Sequence, residues 1–432
     1  MYNIGIAGLG KLGLTWGLIL ASKGFKIHGF DVNTKSINKL KNGELTISEE
    51  GCEDLFKKNK NNLNFYNDIN EIKEHLDTIF IVVPSPSLDN HKFDSSYVNN
   101  VLKSIDKFST YSDKNKFTNV VITSTIMPGE SERMLDELSD DFKKGLKDNN
   151  IGFCYNPEFI ALGSVVKDML NPDFILIGAY SEKSKIKLVE IYQKVNGKDI
   201  PIKSMSLISA EITKISINTF LTLKISYANT IGLLCDQFEN SDKFDVCDAI
   251  GSDSRIGNKF LLPGLGFGGP CLPRDTRAFG VCLTENKLPS SLSDSSASVN
   301  KLVENYYAEK IEKSIEEINI KDPKILFSGI TYKKGSWLLE ESHSFKIILN
   351  TLEKISCEIL LFDEGEDQIK TYSNLWQMNK NNFKILSNDI EKLLAMSPDI
   401  LVLSRKMEKD QFFLINEFME RNENVHLIDL TI

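Results

Sequence analysis

The 432-residue chain, 41% hydrophobic and 26% charged, has the composition of a globular protein and a length that suits two or three domains. A formal net charge of −9 argues against nucleic acid as a partner, and no apolar run approaches the roughly 20 residues that span a bilayer, so no membrane partner is expected. Seven cysteines stand without CxxC pairs or nearby histidines, which predicts reduced thiols, no metal site and a cytoplasmic location.

From the N-terminus, which reads as a first strand and not as a signal peptide, short β-rich runs alternate with amphipathic stretches. The runs cover residues 3–7, 26–30, 78–83, 119–123, 152–155 and 174–178. Several are apolar without polar alternation, as strands buried on both faces of a parallel sheet should be. They predict an α/β fold beginning with a Rossmann-type doubly wound domain over 1–200. Lys/Asn-rich stretches at 57–64 and 379–384 are expected to be solvated surface. Residues 206–238 hold no proline and no glycine before Gly232, so one central helix of about thirty residues is predicted, well above the usual length. Helices of that length commonly brace two domains or a dimer. A helical region follows to about residue 310, interrupted by a Gly/Pro-rich loop at 261–273, giving a central domain over 201–310. Further β runs at 324–328, 358–362, 399–403 and 425–429 predict a smaller C-terminal Rossmann-like α/β domain over 311–432.

The first run leads into Gly8-Leu9-Gly10-Lys11-Leu12-Gly13 and an apolar helix. Two glycines let the backbone turn and approach a pyrophosphate at the helix N-terminus, and the third allows close helix–strand packing. Asp31 ends the second run about 20 residues on, where a carboxylate accepts from ribose hydroxyls and repels a 2′-phosphate. NAD is therefore the expected cofactor, with Gly8, Gly10, Leu12, Gly13 and Asp31 as its candidates; a glycine-rich turn without ligand is the alternative. Two segments leave strand ends on the ligand-binding edge of such a sheet, 83–86 (VPSP) and 124–129 (STIMPG). Pro84, Ser85 and Thr125 could line the nicotinamide side, or each segment could be a plain proline turn.

The most informative segment is GLGFGGPCLPRD, residues 264–275. Four glycines let this loop approach a ligand and present backbone N–H groups. Cys271 follows, with Asp275 one helical turn later. A thiolate adds to an aldehyde to give a hemithioacetal, which hydride loss converts to a thioester. A buried structural cysteine is the competing reading, and the other six cysteines are assigned to it.

With these motifs together, the sequence resembles the UDP-glucose/GDP-mannose dehydrogenase family, nearly end to end. GFGGPCLPRD is similar to the family's nucleophile loop. RIGNKFL (255–261), VPSPS (83–87), STIMPG (124–129), YNPEF (155–159), AEITKISINTF (210–220) and GITYKKG (329–335) are also family-like. The resemblance implies an NAD-binding domain, a central helix forming a homodimer and a C-terminal domain holding the nucleotide. It further implies a four-electron oxidation at the sugar C6 with two NAD and one water, in polysaccharide precursor synthesis.

By that resemblance Cys271 is the covalent nucleophile, and Lys214 stabilises the developing oxyanion with Asn218 on the same helix face. Glu158 is the general base of thioester hydrolysis, Asp275 positions the lysine and a water, and Thr125 relays through its hydroxyl. Arg255 and Lys333 contact the nucleotide-sugar, joined by Phe159, Glu158, Lys214, Asn218 and the 260–264 stretch with Phe260 and Gly264. Three departures leave the sugar open. The family's L-x-E-G after PEF is here Ile160-Ala161-Leu162-Gly163, without a second carboxylate. DDxRES is replaced by WLLEES (337–342), so Glu340 stands where an arginine often touches NAD, and Leu262 replaces a lysine of some members. UDP-glucose to UDP-glucuronate is the first reading; a UDP-N-acetylhexosamine (mannosamine or galactosamine) or GDP-mannose is the alternative. A β-hydroxyacid dehydrogenase needs neither the thiol nor the second α/β domain. A non-catalytic NAD or nucleotide-sugar binding protein should have lost some of Cys271, Lys214, Glu158 or Asp275, and all are present.

Overall fold

Strands form where four or five apolar or β-branched residues follow one another, and their side chains then alternate between the two faces of a sheet. The computed structural model describes residues 2–73, 75–107, 116–160, 163–336, 338–366, 369–370 and 382–431. The chain divides into two units, Met1–Ser216 and Ile217–Ile432.

In the first unit eight strands make one sheet: β1 (Asn3–Ala7), β2 (Lys26–Phe30), β3 (Leu63–Tyr66), β4 (Thr78–Ile81), β5 (Thr118–Ile122), β6 (Ile151–Tyr155), β7 (Ile175–Ala179) and β8 (Ile202–Met205). The order β3-β2-β1-β4-β5-β6-β7-β8 winds outward from β1 in both directions, the doubly wound arrangement expected. Neighbours are parallel except β6 and β7, which pair antiparallel at Cys154↔Ala179 and Tyr155↔Gly178. An apolar run such as ILIGA reads alike in either direction, so the sequence carries no sign of that reversal. Ile4, Ile6, Phe80 and Val121 pack with Leu14, Trp16 and Leu18 of α1 (Lys11–Ser22). The alternate residues Ile79, Ile81, Val120 and Ile122 pack in a second core on the other face. Each such side chain, fully buried, stabilises by about 1.5–3 kcal/mol. The helix α2 (Glu182–Asn196) lies between β7 and β8 in the chain.

One 29-residue helix, α3 (Leu207–Cys235), carries the chain from the first unit into the second. Its single glycine, Gly232, leaves space for a neighbour, since a Cβ there would stand 2.9 Å from Pro263 Cβ. In the second unit come α4 (Leu272–Glu285), α5 (Ser291–Ile318) and α6 (His343–Lys354). The helical region thus ends at Ile318, beyond the expected 310, where Asn319 closes α5 in a left-handed conformation with φ 50°. A parallel sheet of β9 (Lys324–Ser328), β10 (Glu358–Phe362), β11 (Phe383–Ser387), β12 (Ile400–Leu403) and β13 (His426–Asp429) follows, ordered β11-β10-β9-β12-β13. Ile325, Phe327, Ile359, Leu361, Ile400 and Val402 fill one face, and Leu326, Leu360, Phe362, Leu401 and Leu403 the other.

Three edge strands, β3, β8 and β11, were not among the expected runs. Each is short, and β3 and β8 are mostly half-buried or exposed where the central strands are buried throughout, as short edge strands are. The expectation of solvated surface is corrected at two places. Residues 63–64 belong to β3, and Phe383, buried at 3% exposure, opens β11; residues 379–381 lie outside the described residues. No helix among the described residues is long and apolar enough to cross a membrane.

Candidate active site

At the carboxyl end of β1 the chain turns through Gly8 at φ +92°, where a Cβ would stand 2.3 Å from the Val82 carbonyl oxygen. A Cβ on Gly13 would stand 2.0 Å from the Gly8 oxygen, so the start of α1 packs against the loop with no room for a side chain. Gly10, the N-cap of α1, has no atom within 4 Å of that position, and the helix has no acidic residue in its first turn. Open backbone at a positive helix end suits a pyrophosphate. Asp31 accepts from the Leu9 N–H and the Asn33 N–H, both at 2.8 Å, and so ties the glycine loop to the end of β2 while staying partly exposed. Leu12 is half-buried. These residues fit NAD.

Two loops at neighbouring strand ends are bound to each other. Ser124 Oγ donates to the Val83 carbonyl at 2.7 Å and accepts from its N–H at 2.9 Å, beside exposed Pro84, buried Ser85 and half-buried Thr125. The turn after Thr125 is held by Glu211, which accepts from the Gly129 N–H at 2.6 Å and the Ser131 N–H at 3.0 Å. Burial raises the Glu211 pKa against those hydrogen bonds.

Glu158 follows β6 by three residues. Burial raises its carboxyl to about 7, against the opposing effects of the Tyr192 hydroxyl and the Lys214 ammonium. Tyr192 of α2 lies 3.0 Å from Glu158 Oε1, and Lys214, 7% exposed on α3, donates to the Glu158 carbonyl at 2.8 Å. The ammonium also sits 4.5 Å from the centre of the Phe159 ring, a cation–π contact. A carboxyl that titrates near neutrality is matched to general-base work. Ala161 and Leu162, where the second family carboxylate is missing, lie outside the described residues, as does Trp337.

In the second unit the glycine loop is gripped from several sides. Asn229 accepts from the Gly264 N–H at 2.8 Å, and Asn300 bonds both the N–H and the carbonyl of Phe267, at 2.8 and 3.0 Å. His343, held neutral because burial lowers its pKa to about 3, accepts from the Gly266 N–H at 3.2 Å. Gly268 and Gly269 pass so close to the Glu341 backbone and the Tyr332 ring that a Cβ would clash at 2.4 and 2.6 Å. The loop delivers Cys271 as the exposed N-cap of α4, a setting where negative charge is favoured. One turn on, fully buried Asp275 accepts from Asn218 Nδ2 at 2.5 Å and from Arg274 Nε at 2.9 Å. The structure therefore brings Asn218 to Asp275, and Glu158 to Lys214 and Phe159.

Of the expected nucleotide-side residues, Arg255 extends into solvent and pairs with Asp253. Phe260 is 48% exposed at a left-handed φ of 61°, and Gly264 has φ 148°. Lys333 is half-buried in the turn after β9.

Residue-level sequence reading missed three groups. Tyr192 lies in an ordinary amphipathic helix and gives no local signal. Glu211 stood within a quoted motif without a role. The third is a clasp at the ends of β9, β10 and β12. Gly329, at φ +84°, donates to the Phe362 carbonyl at 2.9 Å, as Gly8 does to Phe30 at 3.0 Å. Asp363 accepts from the Ile330 and Thr331 N–H groups at 3.0 and 3.2 Å, as Asp31 does from Leu9. Arg405 closes this second clasp, 3.4 Å from Asp363 and 2.6 Å from Thr331 Oγ1. An acidic residue just past the second strand, the signal that singled out Asp31, is also present at Asp363.

Residues 2–196 match the family model described as UDP-glucose/GDP-mannose dehydrogenase family, NAD binding domain, and residues 208–302 match that family's central domain. The UDP-glucose 6-dehydrogenase of Rickettsia bellii is 31% identical over 376 residues, covering 86% of this chain and 83% of that one. The solved UDP-glucose dehydrogenase of Pyrobaculum islandicum superposes with a TM-score of 0.80 at 26% identity, covering 94% of this chain and 90% of that one. The UDP-D-ManNAc dehydrogenase of Pyrococcus horikoshii reaches the same TM-score of 0.80 at 21% identity, over 99% of this chain and 94% of that one, a likeness of fold.

Proposed function

The chain belongs to the UDP-glucose/GDP-mannose dehydrogenase family and uses NAD, and from that premise we propose that it oxidises the C6 alcohol of a nucleotide-sugar to the acid, UDP-glucose to UDP-glucuronate in the first instance. The observation that supports this most is Cys271, exposed at the head of α4 with Asn218 and Asp275 bonded one turn behind it. NAD, when bound, accepts hydride from the substrate carbon.

The glycine loop and Asp31 hold the cofactor, with Leu12, Pro84, Ser85 and Thr125 around it. Lys214 and Asn218 stabilise the oxyanion formed at C6. Cys271 adds to the aldehyde, and the resulting hemithioacetal becomes a thioester when its hydride is lost. Glu158 then takes a proton from water as that water attacks the thioester, with Asp275 positioning the lysine and the water and Thr125 relaying. Arg255, Phe159, Phe260, Gly264 and Lys333 bind the nucleotide-sugar. A three-part division (1–200, 201–310 and 311–432), a cytoplasmic location and a place in polysaccharide precursor synthesis belong to the same reading.

A second reading concerns only the sugar. Leu262, 67% exposed in place of a lysine, and Glu340 in place of an arginine favour a member with another substrate, a UDP-N-acetylhexosamine or GDP-mannose. A panel of UDP-glucose, UDP-N-acetylmannosamine, UDP-N-acetylgalactosamine and GDP-mannose, followed by NADH absorbance, separates these. The productive sugar is expected to yield two NADH per molecule, and Cys271→Ala to abolish acid formation. One NADH per sugar with a ketone product would overturn the four-electron route.

A further inference from the structure

In the first unit a tyrosine with one proton faces two acceptors. The Tyr192 hydroxyl lies 2.5 Å from Asn156 Oδ1 and 3.0 Å from Glu158 Oε1. Asn156 cannot turn away. Its Nδ2 donates to the Leu176 carbonyl and its backbone N–H to the Ile122 carbonyl, both at 2.8 Å, so Oδ1 stays aimed at the tyrosine. The phenol ring is also held, stacked on Trp16 at 5.4 Å between centroids. Tyr192 and Asn156 are both buried, at 3% and 1% exposure.

A phenol oxygen donates one hydrogen bond and accepts others, so this chain of three groups has two settings. When Glu158 is ionised, the tyrosine proton points to the carboxylate, the stronger acceptor. When Glu158 is protonated, its O–H donates to the tyrosine oxygen, and the tyrosine proton turns to Asn156 Oδ1. The carboxyl is hydrogen-bonded in both.

We infer that Tyr192 and Asn156 are positioning residues for Glu158, forming a hydroxyl switch that lets this half-buried carboxyl alternate between base and acid without losing its hydrogen bond. This rests on the proposed role of Glu158 in thioester hydrolysis. In that step the water oxygen bonds to the thioester carbonyl carbon, Glu158 takes the water proton, and the C–S electron pair leaves on sulfur. Glu158 then carries a proton in a site where an unpartnered polar atom is costly, and the switch supplies the partner. The groups facing Glu158 within its unit are Tyr192 from α2 and Lys214 from α3. With the carboxyl held at about 7 by burial, both settings are populated at neutral pH.

Two variants test the switch with opposite signs. Tyr192→Phe keeps the ring on Trp16 and removes the proton. The ionised carboxylate then loses a charge-assisted bond and the neutral acid only an ordinary one. Asn156→Ala removes the acceptor used only in the protonated setting. Single-turnover acid formation is measured by quenched flow across pH, alongside NADH formation, with the most active sugar of the four-member panel. Tyr192→Phe is expected to leave NADH formation within about twofold, slow acid formation about tenfold and move its pH midpoint upward. Asn156→Ala moves the midpoint downward. Midpoints that stay in place or move together, while Glu158→Gln slows acid formation, overturn the switch alone. Acid formation at wild-type speed in Glu158→Gln overturns the role of Glu158 and the switch with it.

Discussion

A methyl group on residue 13 would stand 2.0 Å from the Gly8 carbonyl oxygen and 3.2 Å from Val82 Cβ, which leaves it nowhere to go. Gly13→Ala is therefore expected to destabilise the chain by about 1–3 kcal/mol and to weaken NAD binding; a melting temperature equal to wild type would contradict the packing described. Glu158 makes a stability prediction with a definite sign. Its folded pKa is raised to about 7 by burial, above the roughly 4.3 of an unfolded chain. The folded state then binds more protons between those values, so the contribution of Glu158 is fully present below about pH 4 and lost as pH rises through 7. Glu158→Gln should melt progressively above wild type as pH goes from about 5 to 8, and a difference independent of pH would contradict the burial assignment. At this scale legibility followed covalent spacing. Gly8, Gly10, Gly13 and Asp31 sit at fixed offsets from a strand and could be read directly, and Asp275 follows Cys271 by one turn. Tyr192 reaches Glu158 across 34 residues, through the packing of α2, and no local pattern records that.

Among the elements, α3 was legible because nothing in residues 207–235 breaks a helix, whereas β3, β8 and β11 were not, because edge strands need only one buried face. The same helix carries a stripe that its own unit does not cover. Phe220, Tyr227 and Leu234, seven residues apart, are 63%, 53% and 54% exposed. A seven-residue apolar repeat is what two helices need to pack along their length, and it is consistent with the homodimer through the central helix that the family resemblance implies. Phe220→Asp should shift the mass measured by light scattering from dimer to monomer at micromolar concentration. An unchanged dimer would move the interface elsewhere.

At the scale of the whole chain, the same strand-end clasp occurs twice: a left-handed glycine after the first strand, bonded to the end of the second, and an aspartate receiving the next N–H groups. If the first clasp serves NAD and the second the nucleotide of the substrate, each ligand should stabilise the chain independently, by about 2.7 kcal/mol at a hundredfold excess over Kd, and so raise its melting temperature. Asp31→Ala should remove the response to NAD and keep that to UDP, and Arg405→Ala the reverse; loss of both responses in either variant would contradict the assignment. The second α/β half was legible as a fold from its apolar runs. Arg405 was not, because it acts only where β12 comes to lie beside β9.

The two clasps differ in charge. Asp31 leaves a carboxylate partly open to solvent, while fully buried Asp363 is covered by the Arg405 guanidinium. One build thus yields an open carboxylate in one half and a carboxylate compensated by a guanidinium in the other. If the first holds the adenosine ribose, its carboxylate would turn back a ribose with an added phosphate; if the second holds a nucleotide, its guanidinium would offer that nucleotide's phosphates a paired donor.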